Sequence, residues 1–202
     1  MPGNRTGQIR RALPFAVEEY LAGDLEAMHI ATGPIVRNRA ISVVVVDRML
    51  LSDWLAALKH LGLTPGIAVV DASLLRGADH EINVLFDQSR VLLGARGHAL
   101  SLDRDSLPGA LAAAVGASTV EQTVEFINGT LGDIAKAEIG HAAPAKITFT
   151  ESETEVPALQ TLAQRFGRAA WVPVNILSGE FAPARPRNVA WQRWRGVAAL
   201  IA

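Results

Sequence analysis

The chain has 202 residues, 50% apolar and 19% charged, with a formal net charge of −1 and no cysteine. That length suits one domain or two small ones with a buried core, and the charge balance supplies no global field for nucleic acid. Without cysteine there is no disulfide, no thiolate zinc site and no thiol nucleophile, which fits a reducing compartment.

The first residues, Met-Pro-Gly-Asn-Arg-Thr-Gly-Gln, contain no apolar h-region and do not read as a secretory signal peptide. No internal stretch approaches the ~20 apolar residues of a membrane span. Residues 8–22 predict a helix, with Ile9, Leu13, Val17 and Leu21 on one stripe. Pro14 should kink this helix or mark its start. Residues 26–31 predict a short strand, and Gly33-Pro34 a turn.

Residues 40–46 (AISVVVV) form a β-branched run that predicts a strand covered on both faces. Residues 48–61 carry Leu51, Trp54, Leu55, Leu58 and Leu61 at helical period, with Gly62 at the C-cap. Residues 66–70 (GIAVV) complete a strand–helix–strand unit, expected to be a parallel crossover.

After Gly77 the short segments 82–87, 90–94 and 98–102 predict an antiparallel meander. Residues 105–115 predict a helix with Pro108 in its first turn. Residues 119–127 fit a strand or a helix, and 128–144, rich in Gly and Ala, are ambiguous. Residues 146–150 (KITFT) alternate like a strand. Pro157 opens a helix bearing Leu159, Leu162 and Phe166, which Gly167 should end. Residues 171–177 fit a last strand or an extended segment, and 178–188 read as loop.

Two apolar runs end in an aspartate, at Asp47 and Asp71. In nucleotide-binding α/β folds such a residue often holds magnesium. The phosphate loop GxxxxGK[ST] does not occur, however, and there are only three lysines, Lys59, Lys136 and Lys146. Asp47 is better read as the cap of the helix after it.

Adjacent Glu18 and Glu19 would point ~100° apart on a helix and cannot share a proton. They read as a solvated face. His29, His60, His80, His98 and His141 have no metal-ligand spacing. No serine sits in a GxSxG elbow. Gly94 and Gly97 read as a hairpin turn rather than a dinucleotide fingerprint. Neither a catalytic residue nor a cofactor or metal site is expected.

The C-terminal stretch differs. After Glu180 no acidic residue appears, and Arg185, Arg187, Trp191, Arg193, Trp194 and Arg195 precede the apolar run Val197–Ala202. Arginine before an apolar run marks the cytoplasmic side of a membrane helix, and tryptophan favours the headgroup zone.

Three blocks resemble the cytoplasmic region of protein L of type II secretion systems. Residues 12–33 carry Leu13-Pro14-Phe15, Glu18-Glu19, Leu21-Ala22-Gly23-Asp24 and Glu26-Ala27-Met28-His29. Residues 43–75 carry the strand, Asp-Arg, the Leu-rich helix, Gly-Leu and the strand ending in Asp. Residues 174–202 carry the Asn-x-Leu-x-Gly-x-Phe segment running into the Trp/Arg-rich stretch. Residues 103–170 match only in general texture.

The resemblance implies an α/β actin-like (ribonuclease H-like) fold without ATPase activity or cofactor. It also implies a single-pass inner-membrane scaffold that recruits the secretion ATPase, protein E, and pairs with protein M and with itself. An actin-like, nucleotide-binding pilus-assembly protein of PilM type is the alternative.

On this reading residues 1–77 are the remainder of a first ribonuclease H-like subdomain lacking N-terminal strands. Residues 78–180 are the second subdomain, 181–196 a basic juxtamembrane linker, and 197–202 the start of a truncated transmembrane helix. Missing strands would leave the strand at 40–46 with an open edge, so self-association or poor solubility is expected. Strand edges and the meander at 82–102 are the expected surfaces for the ATPase, because edges accept partner strands. The sequence singles out no residue there.

Overall fold

The computed structural model describes residues 4–21, 23–36, 40–78, 80–88, 90–95, 98–116, 118–154, 156–168 and 173–183. The chain packs as two compact units. One combines the first 68 residues with the segment from Val174 onward, and the other runs from Val69 to Pro173. The expected border after residue 77 thus falls inside the second unit. The turn Ala72–Leu75 buries Ala72, Leu74 and Leu75 there.

In the first unit, helix α1 (Asn4–Glu18) contains Pro14 rather than starting at it. It begins four residues before the expected start and buries Leu13. Strand β1 (Met28–Thr32) begins late because Leu25–Ala27 form a 3-10 turn. It pairs antiparallel with β2 (Val43–Asp47), Ile30 opposite Val45.

Two expectations fail here. Strand β2 is half-buried along its whole length, not covered on both faces. Residues 66–70 form no strand, so there is no parallel crossover. The short return from β1 favours antiparallel pairing. The backbone of Ala68 bonds instead with residues 175 and 176.

Helix α2 (Arg48–His60) follows β2 without a loop. Its end is set by Gly62 at φ 75°, with Gly62 N–H donating to Lys59 O and Leu63 N–H to Leu58 O at 2.9 Å each. Only a left-handed residue closes a helix this way, which is why glycine stands there.

The second unit holds a five-stranded sheet of order β5-β4-β3-β6-β7. Its strands are β3 (Glu81–Phe86), β4 (Arg90–Ala95), β5 (His98–Asp103), β6 (Gln122–Ile127) and β7 (Ile147–Ser152). The meander β3-β4-β5 is antiparallel as expected, while β6 lies parallel to β3 and β7 parallel to β6. The ambiguous segments thus become β6 and helix α4 (Asp133–Ala142). A first strand at the centre, a reversed second strand and two parallel crossovers make the ribonuclease H-like arrangement.

Helices α3 (Leu107–Gly116) and α4 cover one face, over Val84, Phe86, Val91, Leu93, Val124 and Phe126. Leu107, Leu111 and Val115 form the inward row of α3. The other face buries Leu85, Leu92 and Ile127 under the Ala72–Leu75 turn and helix α5 (Ala158–Arg168). The row expected for α5 is displaced: Leu162 is buried, but Leu159 is 79% and Phe166 36% exposed, and Ala158 and Thr161 face inward instead. Gly167 lies within this helix rather than ending it.

The second face permits no bulk at Gly94. A Cβ there would stand 2.6 Å from Leu75 Cβ and 2.7 Å from the Leu75 carbonyl carbon. Because the obstacle includes backbone, Gly94→Ala should destabilise the second unit by about 1–3 kcal/mol, read as a lower urea midpoint at unchanged slope.

Glu151, on β7, accepts from Thr130 Oγ1 at 2.6 Å and from Lys136 Nζ. The Lys136 bond first, then the Thr130 bond, hold its carboxyl below the ordinary glutamate value. Its contribution is complete above that ordinary value and fades as pH falls through the lowered one. The urea-midpoint gap between the native chain and Glu151→Gln should therefore shrink across that acid window. A gap independent of pH would refute the linkage.

Candidate functional site

The three blocks that carry the resemblance meet in the first unit. The meeting point is the strap formed by residues 174–183, the last described part of the chain. Ile176 N–H donates to Ala68 O at 2.8 Å. Asn175 Oδ1 accepts from both Ala68 N–H and Leu177 N–H at 3.0 Å. One side-chain oxygen, with two lone pairs, thus satisfies two amides that no ladder pairs.

His29, buried on β1, donates from Nε2 to Ile176 O at 2.8 Å, which places the ring proton on Nε2. Its ring meets Phe181 edge-on, centroids 4.9 Å apart at 82°. Arg48, the first residue of α2, reaches the same place: its guanidinium donates to Met28 O at 3.2 Å and pairs with Glu180 at 3.3 Å. The 3-10 turn Gly179–Phe181 presents Glu180 and Phe181 together, with Gly179 at φ 58°. So His29 of the first block and Arg48 of the second both grip the third.

A cleft of about 580 Å³ lies beside the strap, lined among others by Arg10, Pro14, Thr32 and Ser178. Its charged groups are mixed, and Arg48 and Glu180 satisfy each other. The His29 and Arg48 contacts of this cleft fasten the strap.

The aspartates weighed as magnesium ligands serve the fold. Asp47 accepts from Leu50 N–H at 2.9 Å and caps α2, as expected. Asp71 accepts from Ala72 N–H at 2.7 Å and pairs with Arg90 at 2.9 Å. Arg90 also pairs with Asp87 at 3.4 Å, so one guanidinium bridges two carboxylates. Glu18 and Glu19 are exposed, as are His60, His80, His98 and His141. Among the described residues no three His, Cys, Asp or Glu side chains gather to hold a metal, and no helix is long and apolar enough to cross a membrane. Arg185, Arg187, Trp191, Arg193, Trp194 and Arg195 lie outside the described residues.

Sequence reasoning missed Asn175, Glu180 and Arg48 as a set, since each is an ordinary polar residue until the strap returns. The signal available was that each stood inside a block of the resemblance. Asn175→Ala leaves two amides without an acceptor and should cost about 1–3 kcal/mol, with faster hydrogen exchange at Ala68 and Leu177. Glu180→Gln should cost less than about 1 kcal/mol, because the pair it breaks is exposed.

Comparison with known proteins places these features in a family. Residues 1–184 match the family described as type II secretion system (T2SS), protein L. The type II secretion system protein L of Pseudomonas aeruginosa is 30% identical over 202 residues, 100% of this chain and 46% of that protein. The protein of the same name from Pectobacterium carotovorum subsp. carotovorum is 25% identical over 206 residues, 98% of this chain and 44% of that one. The chain therefore spans about half the length of the curated relatives it matches.

Among solved structures, the cytoplasmic domain of EpsL, an inner membrane component of the type II secretion system of Vibrio cholerae, superposes with a TM-score of 0.65 at 19% identity. The match covers 90% of this chain and 71% of that one. At that identity the likeness speaks for the fold, which is actin-like, in agreement with the strand order of the second unit. The chain belongs to the type II secretion system protein L family.

Proposed function

We propose that the chain is the cytoplasmic part of a non-enzymatic inner-membrane scaffold of the type II protein secretion system. It recruits the cytoplasmic secretion ATPase, protein E, to the membrane complex. It associates with a second copy of itself and, in the assembled machine, with protein M. The observation that carries this reading is the strap. Three distant segments converge to fasten residues 174–183, from which the chain runs directly into Arg185, Arg187, Trp191, Arg193, Trp194 and Arg195. A basic, tryptophan-bearing stretch that follows the strap in the sequence suits a body seated at the cytoplasmic face of a bilayer.

The scaffold reading over the nucleotide-using one is supported by the employment of Asp47 and Asp71 as caps and by the Arg90 bridge between Asp71 and Asp87. The ATPase would meet strand edges of the second unit, where β5 and β7 are the outer strands.

Purified chain should co-elute with the protein E of the same secretion system in size-exclusion chromatography, and its melting midpoint should not move with ATP and magnesium. A nucleotide-dependent rise would favour the PilM-type alternative, because a ligand that binds only the folded state must raise the midpoint. Replacing Arg185, Arg187, Arg193 and Arg195 by glutamate should weaken binding to anionic vesicles by at least about a hundredfold, at roughly 1 kcal/mol per basic residue near the surface. Unchanged vesicle binding would remove the membrane-facing role of the stretch.

A further inference from the structure

Helix α2 carries two apolar rows. Leu51, Leu55 and Leu58 form the inner row, with Leu51 buried and the other two half-buried. A second row lies on the flank: Leu50, Trp54, Ala57 and Leu61, the last just past the helix end. Leu50 is 44%, Trp54 52% and Leu61 74% exposed, and Ala57 is exposed as well. Their spacing of four, three and four residues is that of alternate a and d positions, the seam along which two helices pack knobs into holes. A large aromatic and two leucines standing in solvent along such a seam is not the ordinary scatter of surface apolar residues.

We propose that this flank of α2 is the contact between two copies of the chain, paired antiparallel about a two-fold axis. This deepens the self-association proposed above and rests on it. The argument is self-complementarity, which an isologous interface requires. Antiparallel pairing that sets Trp54 against the second copy's Ala57 also sets Leu50 against the second copy's Leu61. The bulkiest side chain then meets the smallest, twice, and leucine meets leucine at both ends.

A parallel pair would stack Trp54 on Trp54 and leave a void between two alanines, overpacked in one layer and empty in the next. Charge agrees with the antiparallel choice. Asp53 and His60 lie on one border of the seam, on the side away from the inner row. Antiparallel pairing about a two-fold axis therefore brings each Asp53 toward the basic His60 of the second copy, while a parallel pair would not. The seam is only three turns long, so the contact alone is weak. Attachment of both copies to one membrane would supply the effective concentration that it lacks.

The chain has no cysteine, so introduced thiols report without background. Leu50→Cys and Leu61→Cys chains with different tags should form a disulfide with each other under mild oxidation and little with themselves. In sedimentation at up to ~100 µM protein, Trp54→Ala and Ala57→Trp should each weaken self-association at least about tenfold, and the double swap should restore it. The four positions are exposed, so unchanged far-UV circular dichroism is expected for every variant.

Self-linked Leu50→Cys in the yield of the mixed disulfide would overturn the antiparallel register. Undiminished association of a Trp54→Glu/Leu61→Glu chain would overturn the α2 contact while leaving self-association standing. A native chain that stays monomeric throughout would overturn both.

Discussion

Ala68 and Asn175 stand 107 residues apart, and the bond between them is what makes the first unit a unit. Its strands, β1 and β2, form a sheet of only two members, which is marginal by itself. The strap supplies the missing partner groups: an amide and a carbonyl for Ala68, an acceptor for buried His29, a carboxylate for Arg48. Closing so long an excursion is tolerable, since closure entropy grows only slowly with length. The excursion also folds as a compact body of its own, which removes most of that freedom beforehand. The first unit can therefore complete itself only after the chain has passed through the second.

The same economy governs the charged residues of the second unit. Arg165 reaches Glu125 at 3.2 Å and Asn83 at 3.4 Å, Ser152 donates to Glu125 at 3.0 Å, and Asn83 donates to Leu75 O at 2.9 Å. Asn83 and Glu125 are register partners on β3 and β6. Buried Asn83 thus has both ends of its amide engaged, as a buried polar side chain requires. The Arg90 bridge does similar work at the β3–β4 turn. These pairs are partly exposed and each contributes little energy. They pin side chains that would otherwise roam.

The second unit was the more legible part of the chain. Alternation and turn residues marked β3, β4 and β5 within a residue or two, because a meander is built from local signals. β6 and α4 were harder. Gln122 to Ile127 is short and carries polar residues on its ladder, and Asp133 to Ala142 is Gly- and Ala-rich with a single fully buried residue, Ile139. In α5, Leu159 and Phe166 misled, since hydrophobicity announces an apolar row but not which neighbour covers it. The first unit was misread in two places. The run at 40–46 does form a strand, but one paired with β1 and half-buried. The run at 66–70 looks like sheet core, yet the backbone of Ala68 bonds Asn175 and Ile176, far along the chain. Of the site, Asp47 was readable as a cap. His29 and Arg48 were visible only as members of resembling blocks.

Helix α2 shows what that reading blurred. Leu51, Trp54, Leu55, Leu58 and Leu61 look like one apolar face, yet the structure separates them into an inner row and a flank. Leu51 is the one buried side chain of α2, so packing alone holds this helix weakly. Its ends compensate. Asp47 caps the first turn, Lys59 and His60 sit where the helix dipole favours positive charge, and Gly62 closes the last carbonyls. Arg48 ties the N-terminal end to the strap through Glu180. A helix secured at both ends can leave Leu50, Trp54 and Leu61 in solvent without losing its shape. An exposed apolar row on a helix that does not need it for its own stability is therefore free to serve a partner.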